Sequence, residues 1–199
     1  MAKHRHFIIH KPCGYLSQFM SNQRKQRKKR LLSELHDFPE DIMAVGRLDE
    51  PSEGLLLLTT DGKVSEQIRS RRVEKEYYAQ VDGEIGAQAL RQLQQGVEIS
   101  IAGKSYKTLP CTAEALNPAP EVYPRPKRIR SERHGPTSWV AITITEGKFR
   151  QIRKMTAAVG FPTLRLIRVR IGNITLGKMP PGHVAEVDGF GLEKEDGEV

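Results

Sequence analysis

The stretch GRLDEPSEGLLLLTTDG, residues 46–62, decides the fold around it. Its four consecutive leucines, Leu55 to Leu58, form an apolar run of strand length that ends at the turn pair Asp61-Gly62. The run therefore predicts a buried strand over 54–60, which follows a bend that contains proline and glycine.

Apolar patterns on both sides of this stretch predict further short elements. They indicate strands at 7–9, 42–48, 77–81, 139–145, 164–171 and 184–187, and helices at 31–35, 64–71, 86–95 and 149–159. Because strands and helices do not alternate regularly, the pattern predicts an α+β fold. The length of 199 residues suits one large domain or two small ones.

Composition excludes several classes of protein. No apolar stretch approaches the ~18 residues of a membrane span, and the apolar run at 7–9 is too short for a signal peptide. Cys13 and Cys111 cannot form a disulfide framework, and neither they nor the scattered histidines have metal-ligand spacing. We therefore expect a cytoplasmic protein without a bound metal.

Charge indicates a nucleic-acid partner. The formal net charge is +8, and the last fifteen residues carry −5, which leaves +13 on residues 1–184. Such an excess is typical of proteins that bind nucleic acid, although a solvated basic surface is the alternative. Residues 22–30 form a loop or disordered arm with six candidate RNA-binding bases: Arg24, Lys25, Arg27, Lys28, Lys29 and Arg30.

Two further segments look irregular. Residues 117–137 contain five prolines and include five bases between Arg125 and Arg133, which indicates a long insertion. The acidic residues 191–199 are expected to form a disordered tail.

Asp49 is a candidate reactive carboxylate. It follows Arg47 by two residues, so a strand would present both on one side, and it lies just before the bend and the buried strand. Such a position can fix a carboxylate for chemistry. The alternative is that Asp49 only caps the bend or pairs with Arg47.

The segment EGKFRQIRKM, residues 146–155, begins a predicted helix. Helical spacing places Phe149, Ile152 and Met155 on an apolar side, and it places Arg150, Arg153 and Lys154 on the other. Cations near a helix N-terminus suit phosphate contact, and an ordinary solvated basic face is the alternative.

In the strand at 77–81, Tyr77 is a core residue or a residue that stacks on a nucleobase.

Taken together, these motifs resemble the RsuA/RluB/E/F family of pseudouridine synthases. The resemblance runs through residues 10–12, 46–62, 75–77 and 146–153 and on to Gly172, in the family's order. Residues 136–139 and 155–168 resemble the RluE-type members, which act on large-subunit ribosomal RNA. Those members lack the N-terminal S4-type RNA-binding domain of many relatives, and we expect none before the first motif here.

The resemblance implies the roles of individual residues. Asp49 resembles the catalytic aspartate, Arg153 resembles the cation that keeps it ionised, and Tyr77 resembles the residue that packs on the target base. The remaining basic side chains in these motifs would bind RNA: Arg47, Lys75, Lys148, Arg150 and Lys154.

The predicted function is therefore isomerisation of one uridine to pseudouridine in large-subunit ribosomal RNA. We expect one catalytic domain over residues 1–190, with a mixed, mainly antiparallel sheet and flanking helices. Two subdomains are possible within it, on either side of a central cleft. The reaction is redox-neutral, so no cofactor is expected, and we expect a monomer that binds RNA and not DNA. The alternatives are a transfer-RNA pseudouridine synthase and a non-catalytic RNA-binding or ribosome-assembly protein.

Overall fold

The computed structural model describes residues 3–20, 29–70, 73–125, 129 and 132–192. Two compact units make up the chain: Met1–Val73 with Arg168–Val199, and Glu74–Ile167. We call them the first and the second unit. None of the helices in the described ranges is long and apolar enough to cross a membrane.

Most of the regular structure consists of strands. The α-helices are α1 (Gly62–Ser70), α2 (Ala87–Gln95) and α3 (Gln151–Ala158). The strands are β1 (His6–Lys11), β2 (Tyr15–Leu16), β3 (Arg30–Leu31), β4 (Met43–Ala44), β5 (Glu53–Thr59), β6 (Lys75–Asp82), β7 (Glu98–Ile101), β8 (Lys104–Lys107), β9 (Thr112–Leu116), β10 (Thr137–Ile144), β11 (Thr163–Ile171), β12 (Ile174–Thr175) and β13 (Val184–Val187).

The first unit is built around the leucine run. Strand β1 pairs antiparallel with both β5 and β13, so that Ile9 lies opposite Leu56 on one side and Val184 on the other. Leu55 to Leu58 are all completely buried, which explains why this strand is apolar at consecutive positions. Phe7, Ile9, Leu56 and Leu58 belong to one core cluster. This core supports the loop that precedes β5.

In the second unit, β10 pairs antiparallel with β6 and β9. The side chains of β6 alternate in burial, and Tyr77, Ala79 and Val81 are the buried ones. Helix α2 packs against β9, and the hairpin of β7 and β8 places β7 against α3. The predicted α+β class and the mainly antiparallel pairing are confirmed, since the strand pairs of β1, β5, β6, β9, β10 and β13 described above are antiparallel.

Three predicted elements differ from the observed ones. The strand predicted at 42–48 is only Met43–Ala44, because Gly46 turns the chain with a φ of +76°. The helix predicted at 31–35 is a single 3₁₀ turn, Leu32–Glu34. The helix predicted from Phe149 begins at Gln151, so Phe149 is not on its buried face. The tail from 193 onward and part of the 117–137 insertion lie outside the described residues.

Strands β7, β8 and β9 were missed by the sequence analysis. The hairpin of β7 and β8 turns at Ala102 and Gly103, whose φ values are 49° and 80°. The Ala-Gly pair is the sequence signal for this turn. Two consecutive residues with positive φ are typical of a tight two-residue hairpin turn. An Ala-Gly pair is a weak form of that signal, since alanine seldom adopts a positive φ.

Candidate active site and RNA-binding surface

Asp49 lies in the loop between β4 and β5 of the first unit, where it is partly buried. Its carbonyl accepts a hydrogen bond of 2.9 Å from the amide of Ser52, which closes a tight turn immediately before β5. Ser52 and Glu53, which follow, are almost fully buried. The backbone of Asp49 is therefore fixed by the strand that the leucine run anchors.

Ser17 fixes the other side of this loop. Its hydroxyl donates a hydrogen bond of 2.8 Å to the carbonyl of Leu48 and accepts one of 3.0 Å from the Leu48 amide. Ser17 is buried, so these two hydrogen bonds are shielded from water. The residue directly before Asp49 is thus held through both of its backbone polar groups.

Lys11 is a second support of the loop, and it is completely buried. Its ammonium donates to the carbonyls of Tyr15 at 2.6 Å, Pro12 at 3.0 Å and Glu50 at 3.4 Å. Burial lowers the pKa of Lys11 to about 8, and the charges of Cys13, Glu53, Glu50 and Asp49 oppose this shift. Lys11 therefore links the end of β1 to the residue that follows Asp49.

One of the six bases of the predicted arm contacts this loop, and a second contacts Tyr15 of β2. Lys29 forms an ion pair with Glu50, and the Arg30 guanidinium lies 4.2 Å from the ring centroid of Tyr15. Arg30 also begins β3, which pairs in parallel with β2. The structure thus places the end of the arm beside the Asp49 loop. Four predicted RNA-binding residues lie outside the described residues: Arg24, Lys25, Arg27 and Lys28.

Arg47, which also belongs to the first unit, is exposed on the same loop as Asp49. In the second unit, Tyr77 lies in β6 opposite Ile142 of β10, and it is only 7% exposed. Lys75 is partly buried at the start of the same strand. Each of these residues remains a candidate for the role that the resemblance implies.

The remaining predicted cations of the second unit cluster around the start of α3. Arg153 is partly buried and its Nη1 donates to the carbonyl of Thr163 at 3.2 Å. The Lys154 ammonium donates to the carbonyl of Ser100 at 2.6 Å. Lys148 and Arg150 are exposed and precede the helix. These side chains therefore do not form the single exposed face that helical spacing predicts.

Sequence reasoning missed the supporting residues Lys11 and Ser17. Lys11 stood in a matching motif, but its sequence gives no sign that the side chain turns inward onto three carbonyls. The local signal is weak: Lys11 ends an apolar strand, and a lysine that is buried there needs polar partners. Within the described ranges, no group of three His, Cys, Asp or Glu side chains is arranged to hold a metal.

The chain thus combines an α+β fold and a mainly antiparallel sheet with a loop-borne carboxylate in the first unit and clustered cations in the second. The sequence pattern of the family described as RNA pseudouridylate synthase matches residues 5–158. This chain belongs to the RNA pseudouridylate synthase family.

Individual relatives agree with this assignment. "Ribosomal large subunit pseudouridine synthase E" of Xanthomonas axonopodis pv. citri is 43% identical over 176 residues, which cover 87% of this chain and 89% of the relative. The protein of the same name from Vibrio parahaemolyticus is 41% identical and covers 90% of this chain and 72% of the relative. The resemblance to RluE-type members is therefore confirmed.

Solved structures share the fold. A structure titled "Crystal structure of pseudouridylate synthase" superposes with a TM-score of 0.74 over 94% of this chain and 71% of that chain, at 23% identity. Human RNA Pseudouridylate Synthase Domain Containing 1 superposes with a TM-score of 0.54 at 14% identity, and covers 92% of this chain and 78% of that chain. The predicted activity, an RNA pseudouridine synthase and hence an isomerase, is confirmed by family membership.

Proposed function

We propose that this enzyme isomerises a specific uridine of large-subunit ribosomal RNA, with Asp49 as its catalytic carboxylate. The observation that carries the choice of RNA is the identity of 41–43% to two relatives whose names refer to the large ribosomal subunit. The choice of Asp49 is supported by its partly buried loop, which Ser17 and Lys11 hold in place.

The chemistry needs a positioned carboxylate, and the RNA gains and loses no atoms overall. The bond between ribose C1′ and uracil N1 breaks, the ring turns, and C1′ bonds to C5. A proton leaves C5 and one is gained at N1, so atoms and electrons balance. An ionised Asp49 assists by adding to the ring, by attacking the ribose, or by removing a ribose proton. All three routes remain open, and each uses the charged form.

The other two roles follow from the same resemblance. Tyr77 would pack on the flipped uridine and relay a proton, which agrees with a tyrosine held on the buried side of β6. Arg153 would keep Asp49 ionised, because an opposite charge within ~4–6 Å favours a carboxylate over its neutral acid. The cations Arg47, Lys75, Lys148, Arg150 and Lys154, together with the arm at 22–30, would bind phosphates.

We further propose one catalytic domain over residues 1–190, an acidic tail at 191–199, and a cytoplasmic monomer that uses RNA and not DNA. The two free cysteines and the basic body of the chain support this description. Sedimentation of the enzyme alone and with RNA tests the monomer, since a second copy would double the mass.

The experiment that tests the function maps new pseudouridines in unmodified transcripts of large-subunit ribosomal RNA and of transfer RNA. We expect one modified uridine in the ribosomal RNA. Asp49→Asn keeps the size of the side chain and removes its charge, so the rate should fall by about 10²–10⁴-fold or more with folding and RNA affinity retained. Asp41→Asn, at an exposed aspartate of the same region, is the matched control.

Each contrary result identifies a different alternative. Modification of transfer RNA alone would make the chain a transfer-RNA synthase. Binding without modification of either RNA would favour a non-catalytic RNA-binding or assembly protein. Full activity of Asp49→Asn would remove Asp49 from the mechanism, and a collapse of its melting transition would mean that the aspartate only caps the bend.

A further inference from the structure

Phe149 exposes an aromatic ring at the turn between β10 and α3. Its side chain is 69% exposed, although the sequence pattern predicts a buried position on the helix. Single exposed apolar residues are common and need no explanation by themselves. The surroundings of Phe149 are what distinguish it.

The turn that carries Phe149 is held by a network of side chains. The Glu146 carboxylate accepts hydrogen bonds from the Tyr106 hydroxyl at 2.5 Å, the Leu109 amide at 2.9 Å and the Gln151 side chain at 2.5 Å. The side-chain oxygen of Gln151 accepts the Lys148 amide at 2.9 Å. Gln151 is only 3% exposed, so the base of the turn is fixed while its tip projects outward.

Arg150 adopts a left-handed backbone conformation, with φ of 53° and ψ of 35°. A non-glycine residue in this region is strained, and such positions concentrate at functional sites. Glycine or asparagine would satisfy the same turn at lower cost. The Arg150 side chain is exposed, and it directly follows Phe149 in the chain.

Basic residues lie within five positions of Phe149 in the chain, and one of them contacts its ring. The Lys154 ammonium lies 5.2 Å from the Phe149 ring centroid, a cation–π distance, and is anchored to the Ser100 carbonyl. The Lys148 ammonium lies 4.9 Å from the ring centroid of Tyr106. Arg150 adds a third charge and is exposed. An exposed flat apolar ring in a segment with these three cations suits a ligand that carries both flat rings and negative charges.

We propose that Phe149 is a stacking platform for an unpaired nucleobase of the substrate RNA, with Lys148, Arg150 and Lys154 binding the adjoining phosphates. This inference rests on RNA as the substrate. The stacked base would not be the uridine that reacts, because a flipped base is enclosed in a tight pocket and the Phe149 ring is largely exposed. Phe149 would thus favour RNA in which a base near the reacting uridine is unpaired and free to stack.

Equilibrium binding to a single-stranded RNA and to a duplex of equal length tests the proposal. Stacking contributes ~1–3 kcal/mol per base, so Phe149→Ala should weaken single-strand binding by about 5- to 150-fold and leave duplex binding unchanged. Phe149→Leu, which is apolar but not aromatic, should lose most of the same affinity, whereas Phe149→Tyr should retain it. Met43→Ala, at another exposed apolar side chain, is the control.

Salt dependence separates the ring from its cations. Phe149→Ala should keep the wild-type slope of log affinity against log salt concentration, while Arg150→Gln should lower the slope by about 0.7. In Phe149→Trp, the added indole fluorescence should be quenched by the single strand and not by the duplex. Because the side chain is exposed, all these variants should melt at the wild-type temperature.

Two results would overturn the proposal: wild-type affinity of Phe149→Ala for the single strand, or equal binding by Phe149→Leu and the wild type. The second would indicate a non-aromatic apolar contact. Both measurements use binding without turnover. Failure to modify ribosomal RNA would therefore reject the proposed function and leave this inference standing. Modification of ribosomal RNA together with wild-type affinity of Phe149→Ala would reject this inference and leave the proposed function standing.

Discussion

Lys11 is a buried cation whose environment opposes its charge. Complete burial disfavours the ammonium, while the three backbone carbonyls that it contacts offer only partial dipoles in return. This explains why burial lowers its pKa from 10.5 to about 8 against the opposing charges of Cys13, Glu53, Glu50 and Asp49. The side chain joins β1, Tyr15 and the Asp49 loop through these contacts.

The lowered pKa of Lys11 predicts how stability changes with pH. Below pH 8 both the folded and the unfolded chain hold the proton, and above pH 10.5 neither does. Between these values the unfolded chain binds more protons, so the free energy of unfolding contributed by this group rises with pH. Relative to Lys11→Met, the wild type should gain up to about 3 kcal/mol across this window.

Urea unfolding at pH 7, 8, 9 and 10 measures the effect. Lys104→Met, at an exposed lysine, should differ from the wild type by a constant amount. Cys13 is one of the charges that act on Lys11, so the comparison is repeated in a Cys13→Ser background. A difference between wild type and Lys11→Met that does not change with pH would show that Lys11 keeps its ordinary pKa.

At the scale of elements, β5 and β11 approach each other closely at Gly54. A Cβ atom on this residue would lie 2.2 Å from the Arg168 carbonyl oxygen and 2.7 Å from its amide nitrogen. Gly54 also has a φ of +105°, which side-chain-bearing residues rarely adopt. The Arg168 side chain reinforces the contact, since its Nε donates to the Leu55 carbonyl at 2.7 Å.

Gly54→Ala should therefore destabilise the fold by about 3 kcal/mol or more, because backbone atoms must move to relieve the clash. Urea unfolding gives the change in the free energy of unfolding. Gly62→Ala is the matched control: no atom lies within 4 Å of the added methyl, and the residue begins α1. The control should change stability by less than about 1 kcal/mol. Similar stabilities for both variants would contradict the close approach of the two strands.

At the scale of the whole molecule, the charge of the body should govern RNA affinity through salt dependence. The six arm bases are not equivalent, because Lys29 pairs with Glu50 and Arg30 with Glu34, while Arg30 also covers Tyr15. Cations already paired within the protein have less to gain from phosphate. We therefore expect the other four bases, Arg24, Lys25, Arg27 and Lys28, to make most of the phosphate contacts.

Two combined variants test this division of the arm. Replacing Arg24, Lys25, Arg27 and Lys28 by glutamine should lower the salt slope of RNA binding by about 3, at 0.7–0.9 for each contact. Replacing Lys29 and Arg30 by glutamine should lower it by less than about 1. Filter binding from 50 to 300 mM salt gives both slopes. An unchanged slope in the fourfold variant would mean that the arm is only a solvated tether.

The sequence by itself determined the elements whose burial is periodic or continuous. The leucine run predicted β5, the alternation around Tyr77 predicted β6, and Val184–Val187 was predicted to the residue. Asp49 could be selected as a candidate because a carboxylate beside a bend and a buried strand is a local pattern. The positive charge follows from composition alone and indicated a nucleic-acid partner with a solvated basic surface as the alternative, and the resemblance of the motifs then indicated RNA.

Only the tertiary structure decided the start of α3 and the burial of Lys11. The helix begins at Gln151 because Glu146 is held by Tyr106 and Leu109, which lie about forty residues earlier in the chain. The Lys11 ammonium is held by the nearby carbonyls of Pro12 and Tyr15, and the fold adds that of Glu50, 39 residues away, at 3.4 Å. Periodicity reports only how neighbouring residues share a face. Hydrogen bonds between distant segments depend on the tertiary fold, which a local sequence pattern does not specify.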